Sequence, residues 1–208
     1  VVCADNQTEG KGQMGAQWNV EPAKNLTFSI LVKDLLLEIN EIFNLNAATA
    51  VSIAEALSAH HISDICIKWP NDILAGNKKI ENSIKNNGEI FSIVGIGINV
   101  NQKDFTGLPK ASSLLEITGR EYDREELMIA ITNKLRRNVS ALLNKDADGI
   151  WKKYHSRLYK KDVPMPFEAN GKRFMGIIQK VTRKGNLEIL QEDDSIASYG
   201  IKQIQLLY

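Results

Sequence analysis

Hydrophobic and polar positions change rhythm several times along the chain. Residues 1–4, Val-Val-Cys-Ala, are uniformly apolar and read as a short strand, and residues 6–15, rich in glycine and polar side chains, read as a loop. An apolar, partly β-branched run at 26–32 predicts a strand, and Ile65-Cys66-Ile67-Lys68 predicts another. Between them the spacing is helical instead: Ala48, Val51, Ala54 and Leu57 recur at the helical period, which predicts a helix over 45–59. Residues 91–100 read as a strand carrying two glycines. Asp123-Arg124-Glu125-Glu126 has the form of a capping box with Asp in place of Ser or Thr, and the helix it opens aligns Leu127, Ile131, Leu135, Val139 and Leu142 on one face. Residues 150–158 predict a further helical piece.

Beyond Lys161 the rhythm shortens. Val163-Pro164-Met165-Pro166 reads as a linker, followed by short strands at 167–169, 173–181, 187–191 and 201–207. Turns at Asn170-Gly171 and Lys184-Gly185-Asn186 separate them, and Asn-Gly between strand residues is a strong hairpin signal. Short strands at this spacing predict a small barrel. The expected architecture is α+β: a mixed β-sheet with helices on one face over residues 1–161, then a small SH3-like β-barrel over 162–208.

Composition narrows the function. Of 208 residues, 43% are hydrophobic and 25% charged, an ordinary globular balance that supplies a sizeable core. A net charge of +1 gives no basic excess for nucleic acid, and no helix-turn-helix pattern precedes the first motif. Cys3 and Cys66 are the only cysteines, without a CxxC pair and both in apolar runs, so two buried thiols in a reducing compartment are expected. No signal-peptide pattern opens the chain, and the most apolar stretch, 28–39, is interrupted by Lys33 and Asp34. A cytoplasmic protein with no membrane span and no nucleic-acid partner is expected. The chain opens inside a strand with no turn or cap before it, so the natural protein is expected to start earlier.

Three stretches carry candidate chemistry. Lys68-Trp69-Pro70-Asn71-Asp72 places a cation, a large ring, a fixed φ, an amide and a carboxylate at the end of a strand. An ammonium neutralises phosphate and a carboxylate holds Mg²⁺; Pro70 cannot donate to a ladder, so the strand is expected to end there with its side chains fanning into a cleft. The same residues also suit an ordinary turn. Residues 7–18 include Gly10, Gly12 and Gly15 with Lys11 among them, which lets backbone N–H groups converge on an anion. Trp18-Asn-Val-Glu-Pro22 is a poor helix start, which excludes a dinucleotide-binding fold. Val94-Gly-Ile-Gly-Ile-Asn-Val-Asn101 leaves one strand face bare at Gly95 and Gly97, with Asn99 on that face; a strand kinked against a helix is the other reading. His60-His61 is read as a cationic helix cap, His155 as structural, Trp151 and Tyr154 as core, and 192–194 as a solvated turn.

Taken together, the three motifs resemble biotin protein ligases: the KWPND signature at 68–72, the GRGRxGR loop at 10–16 and the GIGINVN segment at 95–101, in the family's order and followed by a small β module. The resemblance covers nearly the whole chain and implies a class II synthetase-like catalytic domain, of the monofunctional type without a DNA-binding domain. It implies a ligase that forms biotinyl-5′-adenylate from biotin and ATP with Mg²⁺, then acylates a lysine of a biotin carboxyl carrier protein domain; a homodimer stays open. By resemblance Gln7 contacts the biotin ureido end. Gly10, Lys11, Gly12 and Gln13 belong to a loop that orders over the biotin carboxylate and adenylate phosphate, and Trp18 packs on adenine. Lys68, Asn71 and Asp72 serve the ATP phosphates and metal, with Asp72 as the metal ligand. Lys79 contacts biotin and the reacting carboxylate, Gly95 and Gly97 floor the biotin pocket, and Asn99 reaches the nucleotide. The catalytic cations are then Lys79, Lys68 and Lys11.

The chain departs from that pattern in three places. Lys11, Gln13 and Ala16 stand where the family has arginines, which keeps one charge but loses the planar fork. A Ser-Thr-Asn segment that contacts biotin would precede Val1. After Ile80 the family has a short apolar strand ending in Glu, whereas Glu81-Asn82 follows at once here; both flanks keep the pattern, which points to residues missing from the chain. A lipoate or octanoyl ligase or transferase on the same scaffold, expected to lack the KWPND block, and a non-catalytic biotin or adenylate sensor are the alternatives.

Overall fold

The computed structural model describes residues 1–6, 21–33, 35, 41–81 and 91–207. Its strands are β1 (Val2–Ala4), β2 (Leu26–Lys33), β3 (Ile65–Lys68), β4 (Asp72–Ala75), β5 (Lys78–Glu81) and β6 (Phe91–Ile98), then β7 (Pro164–Ala169), β8 (Lys172–Val181), β9 (Leu187–Gln191), β10 (Ile196–Tyr199) and β11 (Gln205–Leu206). The helices are α1 (Ile42–Ala59), α2 (Leu114–Thr118), α3 (Arg124–Leu143) and α4 (Asp148–Ser156). Two sheets result, in the orders β1-β2-β6-β5-β4-β3 and β10-β9-β8-β7-β11. This is the expected α+β architecture with a small C-terminal β domain. Among the described residues the pairings between these strands are antiparallel, and parallel contacts are isolated bridges such as Ile67 with Leu158 and Lys79 with Ala111.

The β2–β6 pair is the backbone of the first sheet, running in register from Leu26 opposite Ile98 to Lys33 opposite Phe91. Leu26, Phe28, Ile30 and Val32 are buried while Leu31 and Lys33 are exposed, so one face of β2 meets the helices. On β6, Val94, Ile96 and Ile98 turn to that same core. Against it lies α1, buried on nearly every side under α3 and α4. It is long and apolar enough to cross a membrane, which the sequence reading did not anticipate, but 72% of that stretch is buried inside the protein: it is the core helix. Its buried hydroxyls are satisfied locally, Thr49 Oγ1 donating to Leu45 O at 2.8 Å and Ser52 Oγ to Ala48 O at 2.6 Å. Asn138 of α3 ties the two helices by donating Nδ2 to Ser52 Oγ at 2.8 Å. The cap of α3 forms as expected, with Asp123 Oδ1 accepting from Glu125 and Glu126 N–H at 2.8 and 3.0 Å. Its buried face carries Leu127, Ile131, Leu135 and Leu142.

In the second sheet the Asn170-Gly171 turn has φ of 52° and 72°, left-handed at both positions, as a two-residue hairpin requires. Phe167, Ile178, Val181, Leu187 and Ile189 of this sheet share one continuous core with the first.

One expectation at the motif holds and two others need correction. The strand at 65–68 ends at Lys68 as expected: residues 69–71 are a turn, and β4 folds back so that Asp72 pairs with Lys68. Pro70 interrupts the ladder for the turn alone. The strand 91–100 stops at Ile98, because Asn99 and Val100 bond instead to Ile80 O and to the Asn25 side chain. Finally, the cysteines are not two buried thiols: Cys3 is exposed and Cys66 half-buried, both free, because β1 and β3 are the edges of the sheet. Burial, with the Asp64 carboxylate adding to it, still pushes the Cys66 thiol up to about 11.

Candidate active site

The turn at 69–71 sets the site. Lys68 ends β3, Asp72 begins β4, and the two face each other across the turn with Lys68 Nζ 3.8 Å from Asp72 Oδ2. A register shift between Ile73 and Leu74 then slides β5 along β4, and Lys79 comes to lie with its Nζ 2.9 Å from Asp72 Oδ1. The Asp72 side chain is 12% exposed, those of Lys68 and Lys79 24% and 28%. Two ammonium groups therefore converge on one half-enclosed carboxylate. Among the described residues the arrangement carries more positive than negative charge, which suits an anion. Asn71, between them in the motif, is 1% exposed.

Lys79 is held from behind by its own backbone, its N–H donating to Lys110 O at 2.9 Å. Asn99 joins the same support: its N–H donates to Ile80 O at 2.9 Å and its side-chain amide to Ser112 O at 3.2 Å. Asn25, unremarked in the sequence, accepts from Val100 N–H at 3.0 Å and fixes the end of β6. Gly95 and Gly97 lie opposite Ser29 and Thr27, on the sheet face turned away from α1. A Cβ at Gly95 would meet nothing nearer than Ser29 Oγ at 3.9 Å, so among the described residues there is space over the backbone at that position.

A cavity of about 490 Å³ lies between the Lys68–Asp72 turn and the second sheet. Lys68, Trp69 and Asp72 form one wall; Glu168, Asn170 and Lys202 stand on the other. Tyr154 sits behind the turn, fully buried, its hydroxyl donating to Pro70 O at 2.7 Å. Burial drives that hydroxyl far above the ordinary tyrosine range, and the Asp72 carboxylate pushes the same way, so it stays a neutral donor.

Of the residues picked out from the sequence, Lys68, Asp72 and Lys79 converge, and Gly95, Gly97 and Asn99 follow on β6 and just beyond it. Gln7, Gly10, Lys11, Gly12, Gln13 and Trp18 lie outside the described residues, as does 82–90 after Glu81. Tyr154 and Asn25 were missed as contributors, since an aromatic on a helix and an isolated Asn carry no pattern. Among the described residues no three His, Cys, Asp or Glu side chains converge, so the site offers a cation one carboxylate, Asp72. That fits Mg²⁺ arriving on phosphates, since such an ion is typically bound through one or two carboxylates plus substrate oxygens.

Residues 1–101 match the biotin/lipoate A/B protein ligase family. Within that class the resemblance is to biotin protein ligases. The structure of a biotin protein ligase from Aquifex aeolicus in complex with biotin and ATP superposes with a TM-score of 0.85 at 27% identity, over 99% of this chain and 87% of that one. The bifunctional ligase/repressor BirA of Bacillus spizizenii is 36% identical over 134 residues, 60% of this chain and 41% of that protein. The biotin–[acetyl-CoA-carboxylase] ligase of Mycobacterium tuberculosis is 25% identical over 142 residues, 67% of this chain and 53% of that protein. The chain thus spans about half the length of BirA and of the Mycobacterium ligase, and the known proteins it resembles are biotin protein ligases.

Proposed function

We propose that the chain joins biotin to ATP and passes it to a protein. A biotin carboxylate oxygen attacks the α-phosphorus, the bond to the β-phosphate breaks, and pyrophosphate leaves with biotinyl-5′-adenylate formed. A lysine amine of a biotin carrier domain then attacks the acyl carbon, AMP departs, and the amine's proton is lost to solvent. Neither step needs a protein nucleophile. The observation that carries this reading is the convergence of Lys68 and Lys79 on Asp72 beside the cavity. Its support from comparison is the likeness, across nearly the whole chain, to a ligase in complex with biotin and ATP.

The difficulty of the first step is bringing two anions together. Like unit charges about 4 Å apart repel by roughly 4 kcal/mol at an effective dielectric near 20. Lys79 and Lys68 offset that repulsion from fixed positions, so no reorganisation is needed as charge shifts. Asp72 keeps the two ammonium groups together before substrate arrives. Mg²⁺ bound through Asp72 and the phosphates would supply further neutralisation of the phosphate charge. The bare strand at Gly95 and Gly97 accepts the biotin rings, and Asn99 braces the pocket's end. Gln7, Lys11, Gln13 and Trp18 are assigned to biotin, phosphate and adenine by resemblance. The free cysteines suit a reducing, cytoplasmic setting.

The test is to incubate the protein with biotin, MgATP and a carrier domain, and to measure pyrophosphate and the carrier's mass. Release of pyrophosphate with a carrier heavier by one biotinyl group is expected. Consumption of lipoate or octanoate in place of biotin would reassign the substrate. Biotin binding with no pyrophosphate would make the chain a sensor.

A further inference from the structure

Two residues outside every motif grip the Trp69-Pro70 turn. Tyr154 of α4 holds it from one side through the bond to Pro70 O. From the other side Gly185, in the turn between β8 and β9, accepts the Trp69 Nε1–H at 2.8 Å through its carbonyl. Gly185 has φ +88°, and a Cβ built on it would stand 2.3 Å from Phe43 Cδ2 and 2.7 Å from Cγ. The hairpin backbone is therefore pressed onto the Phe43 ring, and a side chain would both strain the backbone and push it off. Phe43 in turn stacks on Trp151 at 5.9 Å and meets Tyr154 edge-on at 6.2 Å. Arg183 of the same hairpin lies 5.1 Å over the Trp151 ring and pairs with Asp148 at the start of α4.

These contacts meet at one place. The gripped pair, Trp69-Pro70, is flanked by Lys68 and separated from Asp72 by a single residue. We propose that the β8–β9 hairpin positions the ATP end of the active site, with Gly185 and Tyr154 as positioning residues that hold the 69–71 turn so that Lys68 and Asp72 stay aligned with Lys79. This rests on the proposed ligase reading. It gives the second sheet a part in nucleotide binding through the turn it holds, apart from any contact with the ligand. Small displacements of such a turn are costly, because an error of about 1 Å in catalytic geometry can lose about a hundredfold in rate. The coupling is reciprocal: nucleotide that orders the turn must also order the hairpin.

The experiment measures dissociation constants for a non-hydrolysable MgATP analogue and for biotin by calorimetry, well below each variant's melting transition. In Gly185→Ala and in Tyr154→Phe, analogue affinity should fall about tenfold, the loss of roughly one hydrogen bond, with biotin affinity held within about twofold. The second substitution Phe43→Leu should restore part of the loss in Gly185→Ala, since it removes the ring atoms the new Cβ strikes. The analogue should also slow amide exchange at residues 182–186 of the unaltered protein. Variants that melt earlier yet bind the analogue like the unaltered protein would reduce the hairpin to packing and overturn the inference. An equal loss of biotin affinity would overturn it too. If Gly185→Ala does not fold, Tyr154→Phe, which keeps the ring, decides alone. Failure of the unaltered protein to bind the analogue would remove the ligase reading and this inference with it.

Discussion

Asp72 pairs with two lysines, and the consequence of removing each differs. Lys68 lies 3.8 Å away and shares its strand end with the turn, whereas Lys79 lies 2.9 Å away on a separate strand. Lys79 keeps its backbone bond to Lys110 O whatever its side chain. Lys79→Ala should therefore leave circular dichroism and melting almost unchanged while pyrophosphate release falls about 10²–10³-fold, the usual cost of losing one preorganised electrostatic stabiliser. Near-normal release would remove Lys79 from the chemistry. At this scale the motif 68–72 is legible in sequence because its residues are contiguous. The bond from Tyr154 spans 84 positions, and nothing local to an aromatic residue on a helix announces it.

The junction of α4 with β8 shows what elements add. His155 Nε2 lies 2.9 Å from Val181 O and 3.1 Å from Val181 N, so the ring donates to that carbonyl or accepts from that N–H according to its tautomer. Burial holds this imidazole below the ordinary histidine range, and Lys161, Arg183 and Lys180 act in the same direction against a raising contribution from the Val181 backbone. With the folded value depressed, the unfolded chain takes up the proton first as pH falls. The stability from this junction is then complete above about pH 6.5 and is lost as pH falls from there toward the folded value. His155→Gln should flatten that loss, seen as a smaller drop in melting temperature between about pH 7 and 5; equal drops in both proteins would free His155 from the effect. Helices and strands themselves differ in legibility. The amphipathic α3 and the Asn170-Gly171 hairpin follow their local patterns. By contrast, α1 begins at Ile42, ahead of the expected 45, because burial on nearly all sides erases its amphipathic edge. Strand β4 is buried at all four positions, so it shows no alternation to read.

Across the whole molecule, the two sheets share one hydrophobic core, to which the second contributes the fully buried Phe167 and helices α1 and α4 contribute Phe43, Trp151 and Tyr154. Heat should unfold them in a single transition with equal calorimetric and van't Hoff enthalpies, and Phe167→Ala should shift that one transition down by about 3–5 kcal/mol of stability. Two separated transitions would make the C-terminal sheet an independent unit. By itself the sequence determined the local features: the contiguous 68–72 motif, the bare glycines of β6, the capped helix and the glycine turns, each set by side-chain size, backbone freedom or capping within a few residues. Only the tertiary structure decided that Lys79 closes on Asp72, since a shift of strand register sets that distance. It also decided that Gly185 and Tyr154 reach the same turn from remote parts of the chain. Such meetings depend on how packed layers align, and the sum of local preferences does not specify that alignment.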